Sequence, residues 1–191
     1  MIEFIEEKHL YLYNGVIIPS VSQILHEKIF PDKYKNIPER ILKNKAIYGT
    51  QIHSAIEIYE NMLKVVQKDE ALYTATFMLS ELQQESINDY LQLKEINKIE
   101  VIEQEQLICY KGIYAGRFDM IAKVNGEESL IDIKTISQLD KEYLSWQLSL
   151  YELGYGKKFK RLYCLWLPKK GKAKLVEIKR KSKKEIEKVI Y

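Results

Sequence analysis

Two cysteines in 191 residues, Cys109 and Cys164, leave this chain without the thiols for a disulfide framework, a four-cysteine zinc site or an iron–sulfur cluster. Each lies in an apolar, strand-like run, which reads as a buried thiol in a reducing compartment. Long hydrophobic runs are also missing: charges interrupt every candidate before it approaches the ~20 apolar residues of a membrane span. The N-terminal MIEFIEEKHL is acidic and lacks the basic-then-apolar layout of a signal peptide. No G-x-x-x-x-G-K-[ST] motif occurs, so ATP-driven work must come from elsewhere or not occur. There is no repeat and no low-complexity linker. These absences predict a single cytoplasmic domain spanning 1–191, with no membrane partner.

What is present is a chain rich enough in apolar residues, 46%, to bury a core. Net charge is only +3, yet it is unevenly spread. Residues 1–156 hold 16 Lys+Arg against 24 Asp+Glu, a net −8, whereas residues 157–191 hold 14 against 3, a net +11. The basic part reads KKFKR, KKGKAK and KRKSKK, with Phe159, Tyr163 and Trp166 interleaved. It fits a polyanion partner, with nucleic acid first in line, or a solvated lysine-rich surface. Tyr163 and Trp166 alternate with Cys164 and Leu165 and read as core rather than as stacking platforms. The lysines on either side, 157, 158 and 160 before the strand and 169, 170 and 172 after it, are the candidates for phosphate contacts.

Hydrophobic periodicity predicts a hairpin over 8–18 turned at Asn14-Gly15, a short helix from Ser20, and a loop with a short helix over 31–47. Helices follow over 48–67 and 70–95, then strands at 99–109, 113–124 and 128–135, a helix over 140–155, and two strands flanking KKGK. The last segment opens with a capping box, Ser182 and Glu185. The order is that of a mixed α/β domain.

The stretch GRFDMIAKVNGEESLIDIKT (116–135) contains Asn125-Gly126 between alternating runs, the strongest short-range hairpin signal. A two-residue loop pairs Val124 with Glu127, and the same register puts Asp119 opposite Asp132 and Arg117 opposite Lys134. Asp132 and Lys134 share a face, with Ile131 and Ile133 behind it. Like charges facing each other destabilise a sheet. Either a salt-bridge ladder compensates them, Asp119 with Lys134 and Asp132 with Arg117, or a divalent ion lies between the carboxylates.

GRFD, twelve residues, then DIKT resembles the core motif of PD-(D/E)XK nucleases. Two further segments resemble the RecB-like and phage-type exonucleases of that superfamily: the helix GTQIHSAIEIYE, and QLSLY as a Q-x-x-x-Y motif. IPSVSQIL near the N-terminus resembles a segment of the phage-type members. The resemblance spans residues 53–151. It implies a restriction-endonuclease-like core, a mixed β-sheet flanked by helices, in 99–191. The N-terminal hairpin and helices of 1–98 would then carry the metal-ligand histidine. It further implies Mg²⁺ or Mn²⁺ held by His53, Asp119, Asp132 and the Ile133 carbonyl, with Asp119, Asp132 and Lys134 as the catalytic residues. Arg117, Thr135, Gln147 and Tyr151 would bind substrate, and Glu57, one helical turn from His53, would orient its ring. The implied activity is exonucleolytic, single-strand-directed hydrolysis of DNA or DNA ends in recombination, repair or phage DNA processing. The alternative is an idle nuclease fold that binds DNA or a recombination partner protein.

Overall fold

In the computed structural model, which describes residues 1–191, the chain opens with a three-stranded antiparallel meander. Its strands are β1 (Ile2–Ile5), β2 (Leu10–Tyr13) and β3 (Val16–Ile18). Asn14 and Gly15 both take positive φ, 50° and 79°, so the expected hairpin forms and β1 adds to its edge. Helix α1 (Val21–Ile24) starts at Ser20 with a reciprocal Ser20–Gln23 capping box and runs on into a π-helical turn, Leu25–Ile29.

Three helices follow: α2 (Glu39–Met62), α3 (Lys68–Thr76) and α4 (Glu81–Ile96). Helix α2 begins nine residues before the expected start at 48. Its buried stripe, Tyr48, Ile52, Ala55, Ile56 and Tyr59, anchors the helix, and the polar turns before Tyr48 propagate from that anchor at little cost. The single helix expected over 70–95 is two. Ser80 caps α4 in a second capping box with Gln83, and a start signal of that strength ends α3.

The large sheet comprises β4 (Glu100–Tyr110), β5 (Tyr114–Val124), β6 (Glu127–Lys134), β7 (Arg161–Trp166) and β8 (Lys174–Glu177), in that spatial order. Only β6 and β7 pair in parallel, and α5 (Lys141–Tyr155) connects them, as a parallel pair requires. Helix α6 (Lys183–Ile190) closes the chain behind the predicted Ser182–Glu185 box. The architecture is therefore α/β: a mixed five-stranded sheet flanked by helices, and a separate three-stranded antiparallel sheet. No helix is long and apolar enough to cross a membrane.

Each face of the large sheet carries its own core. On one, Leu130, Leu162 and Cys164 pack with Leu144, Leu148 and other residues of α5, α1 and α6. On the other, Ile131, Ile133 and Leu165 pack with Ile52, Ile56 and Tyr90 of α2 and α4. Alternation thus puts Asp132 and Lys134 on the α5 face. Strand β5 breaks the alternation at one place. Phe118 and Ile121 belong to the α5 core, but Met120 and Ala122 belong to the α2 core, so the strand changes face at Asp119.

Candidate active site

The β5–β6 register is the expected one from Val124–Glu127 to Met120–Ile131. There the ladder opens. Asp119 and Asp132 are not paired as backbone neighbours; instead the Asp119 side chain takes the vacated rung, its Oδ2 accepting the Ile133 N–H at 2.6 Å. In a strand, a residue's N–H and C=O leave by the same edge, so the Ile133 carbonyl also faces the opened gap. Lys134 points its own carbonyl the other way, to the Leu167 N–H of the following segment at 2.7 Å.

Two helices supply side chains to this gap. His53 comes from α2, with Nδ1 3.2 Å from Asp119 Oδ1. Tyr151 comes from α5, where Gln147 donates from Nε2 to the Tyr151 hydroxyl at 3.3 Å. Tyr151 can lie against β5 only because residue 116 is glycine. A Cβ there would stand 2.7 Å from Tyr151 Cε1 and 3.1 Å from Val21 Cγ2. The N-terminal meander forms a further wall. The Ala115 N–H bonds to the Pro19 carbonyl at 3.0 Å, which places Glu6, His9 and Tyr11 on the cleft. The cleft has a volume of about 770 Å³ and is lined by His53, Asp119, Lys134 and Tyr151 among others.

The charges are arranged differently from a simple salt-bridge ladder. Lys134 pairs with Asp132, two residues back on its own strand, at 2.6 Å. Arg117 pairs with neither aspartate; its Nε lies 2.8 Å from Glu105 Oε2. Both diagonal pairs of the ladder are replaced. Glu57 makes no hydrogen bond to His53, so Asp119, rather than Glu57, orients the ring. Thr135 does not line the cleft but lies just beyond it, against Gly49 of α2. Gln147 is buried behind Tyr151 and reaches the cleft only through it.

Glu105 is the site residue the sequence conceals. It stands across from Asp119 on β4, unpaired in a ladder whose neighbouring rungs are Gln104–Met120 and Gln106–Phe118, with φ at 51°. A non-glycine residue in the left-handed region costs roughly 1–2 kcal/mol, and the turn directs its carboxylate toward His53 and Asp119. The only trace in the sequence is the polar run EQEQ at 103–106, where a half-buried strand would alternate.

Burial and neighbours set the protonation states. Burial alone would raise the Asp119 carboxyl, but His53, Lys134 and the Ile133 N–H outweigh it and hold its pKa below the ordinary value. Burial pushes Asp132 up to about 6, with Lys134 pulling it back and Asp119 adding to the rise. For Lys134, burial disfavours the cation, yet Asp132 and Asp119 together raise its pKa, so the ammonium stays charged. His53 is likewise lowered by burial and raised further by Asp119, ending above its usual value. Burial and the Asp119 charge lift Glu105 to about 7 against the pull of Arg117.

The donor set fits a divalent ion. Ligand atoms of His53, Glu105 and Asp119 lie within 4.8 Å of one another. Two donors bound to one ion at about 2.1 Å are at most about 4.2 Å apart, so the side chains would have to draw closer together to close the set. Asp132, an expected ligand, lies outside this group of three; its Oδ2 is buried against Lys134 without an aligned hydrogen-bond donor. Two carboxylates with one imidazole are donors that could hold a metal ion.

No family model and no curated protein matches the sequence. Among solved structures the chain is similar to SSO0001, with 19% identity over 73% of this chain and 70% of that one, at a TM-score of 0.35. A likeness at that score carries no argument about fold or chemistry.

Proposed function

We propose that the chain is a metal-dependent nuclease with a restriction-endonuclease-like core of the PD-(D/E)XK type, acting on DNA. The observation that carries this reading is the opened end of the β5–β6 ladder, where His53, Asp119 and Lys134 meet in a cleft and Asp132 lies buried against Lys134. A surface charge ladder has no need to open its strands, bury an aspartate at 2% exposure, or direct a helix histidine at its partner. His53, Asp119, Asp132, Glu105 and the Ile133 carbonyl would hold Mg²⁺ or Mn²⁺. When bound, such an ion supplies Lewis acidity toward a phosphoryl oxygen and a water of lowered pKa.

The chain's own residues do the rest. Asp119 stays ionised at neutral pH and holds His53 in place. Asp132 keeps Lys134 charged, and Lys134, facing the cleft, orients water and neutralises charge developing on the phosphoryl oxygens. His53 Nδ1 faces Asp119 Oδ1, and the imidazole would have to be neutral to hold an ion, so ion binding would be linked to loss of any proton the pair carries. Single-strand preference and exonucleolytic action are carried over from the RecB-like motifs. An idle DNA-binding role is the weaker reading, because binding alone does not call for a lysine held in a buried ion pair at the cleft floor.

Labelled single-stranded and duplex DNA, incubated with Mn²⁺ or Mg²⁺, tests the reading. Cleavage is expected with metal, and is lost with EDTA and in Lys134→Ala. A Lys134→Ala protein cutting at the wild-type rate, or a wild type inert on both DNAs with either metal, would overturn it.

A further inference from the structure

The basic C-terminal part is divided by the fold. Because β6 and β7 are parallel, with Ser129 beside Arg161 and Lys134 beside Trp166, the residues before β7 lie at the far end of the sheet from Lys134, and those after it lie at the same end. At the far end the cations are mostly partnered: Lys157 with Glu128, Lys160 and Arg161 with Glu127, and Arg180 with Glu152. A cavity of about 640 Å³ at that end is bordered by Glu152 and Arg180 in this paired network. The lysine trio of 157, 158 and 160 therefore does not border the cleft.

At the near end the pattern reverses. A cavity of about 290 Å³ is lined by Lys45 of α2, Lys169 and Lys170 after β7, and Thr135 and Ser137 after β6. None of its three lysines has an acidic partner within ion-pair distance, and the cavity wall contains no carboxylate. Lys169 is held by an aromatic face instead, its Nζ 3.7 Å from the Tyr48 ring centroid, and Tyr48 is itself fixed by its hydroxyl 2.9 Å from Ser86 Oγ. A π-face orients an ammonium group without cancelling its formal charge. This cavity adjoins the cleft. Ala46 and Lys134 line the cleft, and their chain neighbours Lys45 and Thr135 line the cavity. The loop after β6 is tied down by the Trp166 indole, which donates to the Ile136 carbonyl at 2.6 Å.

We infer that this cavity is an anion site that holds an internal phosphodiester of a polynucleotide strand passing through the cleft. Three lysines without a carboxylate partner and two hydroxyl-bearing residues, gathered around a small cavity beside the site, supply the residue types that recognise phosphate by charge and hydrogen bonding. The inference rests on the nuclease reading for its choice of polymer. It assigns the contact with the strand to Lys45, Lys169 and Lys170, rather than to the basic segment as a whole.

The test measures binding without cleavage. A fluorescent oligothymidylate with hydroxyls at both ends is titrated by anisotropy in EDTA, across a range of salt concentrations. The proteins are wild type, the triple variant Lys45→Gln/Lys169→Gln/Lys170→Gln, and the double variant Lys45→Gln/Lys170→Gln, which keeps the Lys169–Tyr48 contact. A control, Lys157→Gln/Lys158→Gln/Lys160→Gln, removes as much charge at the far end. The slope of log affinity against log salt should become shallower by about 0.7 in the triple variant and by no more than that in the double, at roughly 0.7 per phosphate on single strands. The control should keep the wild-type slope. Unchanged slopes in both cleft-end variants, or a change seen only when the oligomer carries a terminal phosphate, would overturn the inference. A shallower slope in a protein that cuts no DNA with Mn²⁺ would sink the nuclease reading and leave this site standing. Cleavage with an unaltered slope would do the reverse.

Discussion

The Asp119 carboxylate takes the place of a backbone carbonyl: its Oδ2 accepts the Ile133 N–H at 2.6 Å, on the rung where the β5–β6 ladder opens. One side chain thereby does two jobs, satisfying a backbone donor with one oxygen and facing His53 with the other.

Those jobs are separable. Asp119→Asn keeps an oxygen for the Ile133 N–H and should unfold in urea within about 1 kcal/mol of wild type, whereas Asp119→Ala orphans that donor and should lose roughly 1–3 kcal/mol. Both should lose Mn²⁺ binding by calorimetry. An Asp119→Ala protein as stable as Asp119→Asn would mean that the rung is filled by water.

Glu105 offers an unusual stability ordering. With φ at 51°, Glu105→Gly should be more stable than Glu105→Ala by roughly 1 kcal/mol, the reverse of the usual order in a strand. Both variants remove a carboxylate from the His53–Asp119 group and should weaken Mn²⁺ binding. Equal urea midpoints for the two would show that residue 105 relaxes out of the left-handed region.

Asp140 supplies a pH dependence remote from the cleft. It caps α5 by accepting the Tyr143 N–H at 2.9 Å and pairs with Lys33. Burial alone would raise its carboxyl, but Lys33 and the cap hold it below the ordinary 3.8. A depressed acid stabilises the fold above its unfolded pKa, and that contribution is lost as pH falls through the lower folded value. Asp140→Asn, which keeps a cap acceptor, should therefore narrow its stability gap to wild type as pH drops below about 4. Asp140→Ala should lose roughly 1 kcal/mol near neutrality through the missing cap. Urea unfolding at a series of pH values checks both; a gap that widens toward acid would refute the sign.

The hairpin register is legible in the sequence because Asn-Gly favours a two-residue loop, and every pair then follows by counting. His53 is legible as a histidine at the edge of an apolar helical stripe. The break between α3 and α4 is harder to read, because Phe77, Met78 and Leu79 continue an apolar run across it while the capping box at Ser80 is local and brief. Glu105 is hidden for a different reason: its position depends on a backbone torsion that glutamate does not favour by itself. The meander's part in the cleft is a tertiary matter, set by Pro19 meeting Ala115, residues far apart in the chain. The two lysine groups of the basic end look alike in sequence, and only the parallel pairing of β6 with β7 separates them.

Strand β6 carries its chemistry at one end and its turn at the other, and this sets how the gene can change. Lengthening the loop at Asn125-Gly126 leaves Asp132 and Lys134 where they are. Inserting one residue between Ser129 and Asp132 turns both toward the α2 core, since neighbouring residues on a strand face opposite ways. This geometry therefore tolerates a change of length only at the tip, and a deletion three residues away would disrupt the candidate site without touching it.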